Sequence, residues 1–100
     1  MIVYNVTAKV DHSIAGDWRF WMLQEHIPML LKTGCFTDAK LFRLIDQDDA
    51  DGPTFCAQYY CRSRKEYDEY IDQYAPAMRE ESQKKWGDKC LAFRSLMQLQ

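Results

Sequence analysis

No run of basic residues interrupts this sequence: none is longer than a pair such as Lys84-Lys85, and the formal net charge is −2. The cationic footprint needed to grip a phosphate backbone is missing, so no nucleic-acid partner is expected. No apolar stretch approaches the roughly 20 residues that span a bilayer, so no membrane partner is expected either. The opening, Met1 to Val10, has neither a basic leader nor an apolar signal core. Four cysteines stand at positions 35, 56, 61 and 90, without a Cys-x-x-Cys pair or metal-ligand spacing. Buried, reduced thiols in a cytoplasmic protein are the expectation. A phosphate loop, a nucleophile elbow and a zinc-protease helix are also lacking, so no metal or nucleotide cofactor is expected. The acidic run from Asp46 to Gly52 is calcium-loop-like only in composition, because Ala57 stands where the twelfth-position Glu belongs.

What the chain does have is aromatic mass: three Trp, six Tyr and five Phe in one hundred residues. A chain of this length makes one domain, residues 1–100, able to bury roughly two-thirds of its unfolded surface. Residues 2–10, IVYNVTAKV, alternate as a half-buried strand. Asp11 and Ser13 offer caps for a helix from about Ile14 to Lys32, with Asp17 near its positive end. Pro28 predicts a kink or restart near Ile27-Pro28, and Gly34 ends the helix. Cys35 to Ile45 reads as a second strand, the acidic loop as a turn, and residues 54–61, TFCAQYYC, as a third strand. Ser63 to Glu66 forms a capping box for a second helix with a Tyr67, Tyr70, Ile71, Tyr74 stripe. Pro76 breaks that helix, Gly87 closes its continuation, and Lys89 to Leu99 alternates as a fourth strand.

The order is βαββαβ, each half being strand, proline-broken helix, glycine stop and strand. Both helices on one face of a four-stranded antiparallel sheet give an α+β, ferredoxin-like fold. The same order fits an RNA-recognition domain, but the aromatic signature of that domain's third strand is absent. The second sheet face would carry several of Val3, Phe42, Leu44, Phe55, Tyr59 and Leu96. A bare patch of that size is unusual on a monomer. A homodimer through the open sheet face, a dimeric α/β barrel, would bury it.

Four segments carry a resemblance: MIVYNVT, EHIPMLLKTGCF, GPTFCAQYY and KWGDKCLAFRS. Together they resemble a family of short bacterial proteins that share a domain of unknown function. That family is similar in turn to the dimeric α/β-barrel superfamily, in which two ferredoxin-like sheets face each other with helices outside. The superfamily includes cofactor-independent monooxygenases, haem-degrading enzymes, lactone isomerases and plain binding domains, so the resemblance implies a fold and no single activity.

The stretch Trp18 to Gly34 is the place to seek function. On a wheel of about 100° per residue, Phe20, Leu23 and Ile27 fall on one side, extended by Leu30 and Leu31 if the kink does not reset the phase, and that side is assigned to the sheet. Ile14, Trp18, Trp21, Met22 and Met29 fall on the other, with Glu25 in their midst and His26 at the border. Glu25 is either a carboxylate in a cleft or a surface partner of Arg19 or Lys32. His26 is either a proton-transfer or ligand-binding imidazole, or a structural donor to a carbonyl freed by Pro28. The functional set is therefore His26 and Glu25 as acid/base groups and Trp18 and Trp21 as stacking walls for a planar molecule. Asn5 and Arg94, with Gln58, are read as a polar floor or a network at the dimer seam. His12 reads as solvated. The competing reading is a non-catalytic interaction module, marked by a filled cleft and a salt-bridged Glu25.

Overall fold

The alternating residues of β1 (Ile2–Val10) place Tyr4, Ala8 and Val10 in the core and turn Val3, Asn5, Thr7 and Lys9 to the opposite face. A computed structural model, describing residues 1–100, sets β1 at the centre of a sheet with β2 (Asp38–Arg43), β3 (Thr54–Cys61) and β4 (Cys90–Gln98). The spatial order is β2-β3-β1-β4, and every pairing is antiparallel, the four-stranded antiparallel sheet that the sequence predicts. Four helical segments, α1 (Ala15–Trp21), α2 (Ile27–Lys32), α3 (Arg64–Gln73) and α4 (Ala75–Trp86), supply the layer over the sheet. The architecture is the ferredoxin-like α+β fold.

Tyr4 is the hub of the core. Its ring lies 5.8 Å from Tyr59, 5.7 Å from Tyr70, 5.5 Å from Tyr67 and 6.2 Å from Phe36. The Phe36 ring is stacked and the other three are tilted, and aromatic pairs of this kind add about 0.5–1.5 kcal/mol each beyond the area they bury. Trp18 packs on Phe55 at 5.1 Å, fixing α1 to β3.

The proline-broken first helix resolves in a specific way. Between α1 and α2, Met22–His26 form a π-turn, in which the Ile27 N–H bonds to the Met22 carbonyl five residues back. Pro28 sits at the start of α2, where its missing donor is least harmful. A π-turn inserts one extra residue and so shifts the phase of everything after it. Before it, Trp18 and Trp21 are buried, and Met22 at its first position is too; after it, Ile27 and Leu30 are. The predicted sheet face is therefore corrected in its first half: Phe20 is 66 % exposed and Leu23 also reaches solvent, while Trp18, Trp21 and Met22 are buried, Trp18 against Phe55 of β3. Ile27 and Leu30 are buried as predicted, and Met29 of the opposite face is exposed.

Other boundaries move too. The second strand starts at Asp38 rather than Cys35, because Cys35 and Phe36 are buried in the connection, and it ends at Arg43. Asp11 binds Ser13 in a turn ahead of α1 and does not cap the helix; its Oδ1 accepts from the Ser13 amide at 2.9 Å and hydroxyl at 2.7 Å. The Ser63 hydroxyl donates to Glu66 at the start of α3, side chain to side chain. Gly34 and Gly87 end their helices with φ of +78° and +59°, as read from the sequence.

The open sheet face is also revised. Phe55 and Tyr59 are core residues and Leu96 packs against the core. The bare face instead carries Val3, Phe42, Leu91, Phe93 and Met97, of which Phe93 is 64 % exposed.

Candidate functional site

A cleft runs between β1, β4 and the helical layer. Its floor is Tyr4, Val6 and Ala8 of β1; its walls are Trp18, Trp21, Met22 and Leu30; α4 contributes Met78, Arg79 and Ser82. A cavity of about 50 Å³ occupies its inner part. An outer hollow of about 120 Å³ lies beside it, bounded by Arg79, Ser82, Gln83, Gly87, Cys90, Ala92 and Arg94. Neither part is lined by an Asp or Glu.

His26 reaches this cleft because the π-turn swings it there. In an uninterrupted helix the position in phase with Trp18 and Trp21 would be Glu25. The extra residue carries Glu25 to the solvent side, where it is exposed and enters no ion pair. Glu25, expected in the Trp/Met face, is thus replaced there by His26. The imidazole stacks on Trp21 with centroids 4.5 Å apart, and Trp21 in turn meets the edge of Trp86 at 5.6 Å. The His26 Nδ1 is buried and has no hydrogen-bond partner, so the expected bond to a freed carbonyl does not form. Burial, and next the nearby Arg94 cation, push its pKa down to about 4. The ring is neutral at pH 7 and presents one donor and one acceptor nitrogen.

Asn5 and Arg94 do not come together. Arg94 pairs with Val6 and shares the helix-side face, whereas Asn5 pairs with Ser95 and Gln58 on the open face. The polar-floor reading fails by one residue of parity, since adjacent strand positions point to opposite faces. Asn5 donates to the Thr7 hydroxyl at 3.1 Å, while its Oδ1 is buried without a donor. It sits where the sheet face is bare.

Arg94 instead lies at the cleft mouth, its Nε donating to the Tyr4 hydroxyl at 3.1 Å. Arg79 donates to the same oxygen from α4 at 3.3 Å. The sequence reading did not single out Arg79, Tyr4 or Ser82. The signal for Tyr4 was present: it has the same parity on β1 as Val6, the partner of Arg94. Arg79 is one of several charged residues on α4, and only packing distinguishes it.

The fold has close structural relatives. A member of the ethyl tert-butyl ether D (EthD) family from Bacillus halodurans C-125 aligns with a TM-score of 0.69 at 15 % identity, covering 100 % of both chains. A candidate antibiotic biosynthesis monooxygenase from Deinococcus radiodurans gives 0.72 at 9 % identity, over 100 % of this chain and 93 % of that one. A dimeric ferredoxin-like protein from an uncultured marine organism gives 0.69 at 10 % identity, over 98 % and 94 %. At such identities the likeness establishes fold alone. No curated protein matches the sequence significantly. The sequence model for a domain of unknown function, DUF4286, matches residues 1–100, and the chain belongs to that family.

Proposed function

We propose that this chain is a homodimer that binds or converts a small, partly aromatic or planar molecule in the cleft between its first helix and the sheet, without a metal or nucleotide cofactor. The observation that carries the reading is the buried, unpartnered Nδ1 of His26 beside an open aromatic cavity. A buried polar atom without a partner costs about 1–3 kcal/mol unless something binds it, and a ligand would. His26 is assigned the role of hydrogen-bond partner or proton acceptor. Trp18 and Trp21 supply the aromatic walls, Trp21 with one face given to His26. Arg94 orients the polar end at the mouth.

The dimer draws support from the bare apolar face, from the buried Asn5 Oδ1 within it, and from the dimeric description of one structural neighbour. The monooxygenase description of another is in keeping with small-molecule chemistry in this fold. Glu25 and Asn5 have no part in the cleft. A non-catalytic interaction module would use the exposed Phe20 and Leu23 instead. It lacks the filled cleft and the salt-bridged Glu25 that would mark it.

Native mass spectrometry of freshly purified protein tests the reading. A dimer carrying a small adduct, lost in His26→Ala, is expected. An adduct-free monomer, and a His26→Ala variant unchanged in binding and turnover, would sink it.

A further inference from the structure

The cleft is apolar inside and cationic at its rim, and the rim has an unusual centre. A tyrosine hydroxyl has one proton to donate and two lone pairs to accept. Tyr4 spends both lone pairs, on Arg79 at 3.3 Å and Arg94 at 3.1 Å. Its own proton finds no acceptor in the chain. The two guanidinium groups are likewise without a carboxylate: the ion pairs of the structure are Arg43–Asp49, Arg64–Asp68 and Lys84–Glu80. Two cations held near one another by a neutral oxygen repel, and an anion between them would relieve that repulsion.

From this convergence the geometry points to a carboxylate-binding site at the cleft mouth, in which Arg79, Arg94 and the Tyr4 O–H take the acid group of a single-ring planar acid whose body enters between Met22 and Leu30. The assignment rests on the small-molecule reading above and specifies its substrate class. Guanidinium forks match the planar, two-oxygen geometry of a carboxylate, and charge-assisted bonds of this kind are roughly twice as strong as neutral ones. Size sets the remainder of the ligand. The inner cavity of about 50 Å³ is smaller than the roughly 150 Å³ that encloses a free benzene. With the adjoining open hollow of about 120 Å³ the space is nearer in size to one ring and its acid group than to a polycycle.

The test uses benzoate and its neutral isostere benzamide, followed through the indole N–H signals of the three tryptophans in two-dimensional NMR. Benzoate is expected to bind at least about tenfold more tightly than benzamide. That preference should shrink with added salt. Arg79→Gln and Arg94→Gln should each remove most of the preference, weakening benzoate far more than benzamide. Tyr4→Phe keeps the ring contacts and should weaken benzoate severalfold. Equal binding of benzoate and benzamide, unmoved by the arginine variants, overturns the anion site while leaving the small-molecule cleft standing. Failure of both probes to move any tryptophan signal overturns the anion site and the cleft reading together.

Discussion

The imidazole of His26 lies over the indole of Trp21, centroids 4.5 Å apart and planes 23° from parallel. Residues five apart do not stack on the face of a regular α-helix, since they stand about 140° from one another. They meet here because the π-turn between them, marked by the Ile27-to-Met22 bond, takes up one residue. The turn thus places a neutral base in the cleft and an acid outside it.

That placement makes the fold acid-sensitive through one side chain. His26 is held down to about 4 by burial and by Arg94, against 6.5 when unfolded. Between those values the unfolded chain binds the extra proton, so stability falls as pH drops from about 6.5 and levels off below about 4. At pH 5 the loss is up to about 2 kcal/mol. Urea denaturation at pH 7 and pH 5 should show it in the wild type, and His26→Gln should abolish the difference. An NMR titration placing the imidazole near 6.5 would contradict it.

The phase of the first helix can be read by truncation. Leu30 is 1 % exposed, so Leu30→Ala should destabilise by about 2–5 kcal/mol. Phe20, at 66 % exposure, should cost about 0.5 kcal/mol or less when changed to Ala. Chemical denaturation of the two variants separates this arrangement from an uninterrupted helix, in which Phe20 and Leu30 would lie on one face.

Gly52 tolerates no side chain. A Cβ there would sit 1.8 Å from the Val10 carbonyl oxygen, at a φ of +141°. Gly52→Ala should lose at least about 2 kcal/mol. Gly34, with φ +78° and open space around it, should lose only about 1–2 kcal/mol on the same change. Comparable urea midpoints for the two variants would argue against this difference.

The homodimer can be split from the outside. Phe93 is 64 % exposed on the open face and makes no part of the core. Phe93→Asp should leave far-UV circular dichroism unchanged and convert a dimer to a monomer in analytical ultracentrifugation. A wild-type chain that sediments as a monomer at all concentrations would remove the premise.

Much of this protein was legible residue by residue. The four strands, the glycine stops and the proline breaks follow from alternation, helical spacing and backbone restriction, all local. His26 was legible as a candidate because a titratable group within an apolar stretch stands out. Its neighbour Glu25 stood out equally, and nothing local separates the two. Asn5 and Arg94 looked like partners because their strands are adjacent, a relation that ignores which face each residue takes.

What the sequence determined by itself was the fold, since hydrophobic period and turn chemistry act over a few residues and are written there directly. What only the tertiary structure decided was phase and convergence. Whether Pro28 is met by a kink or by a π-turn depends on which side chains must reach the sheet on both sides of it. Tyr4, Arg79 and Arg94 are separated by as many as 90 residues, and their meeting at one oxygen is a property of packing. A site built from such contacts has no period, so no local pattern announces it.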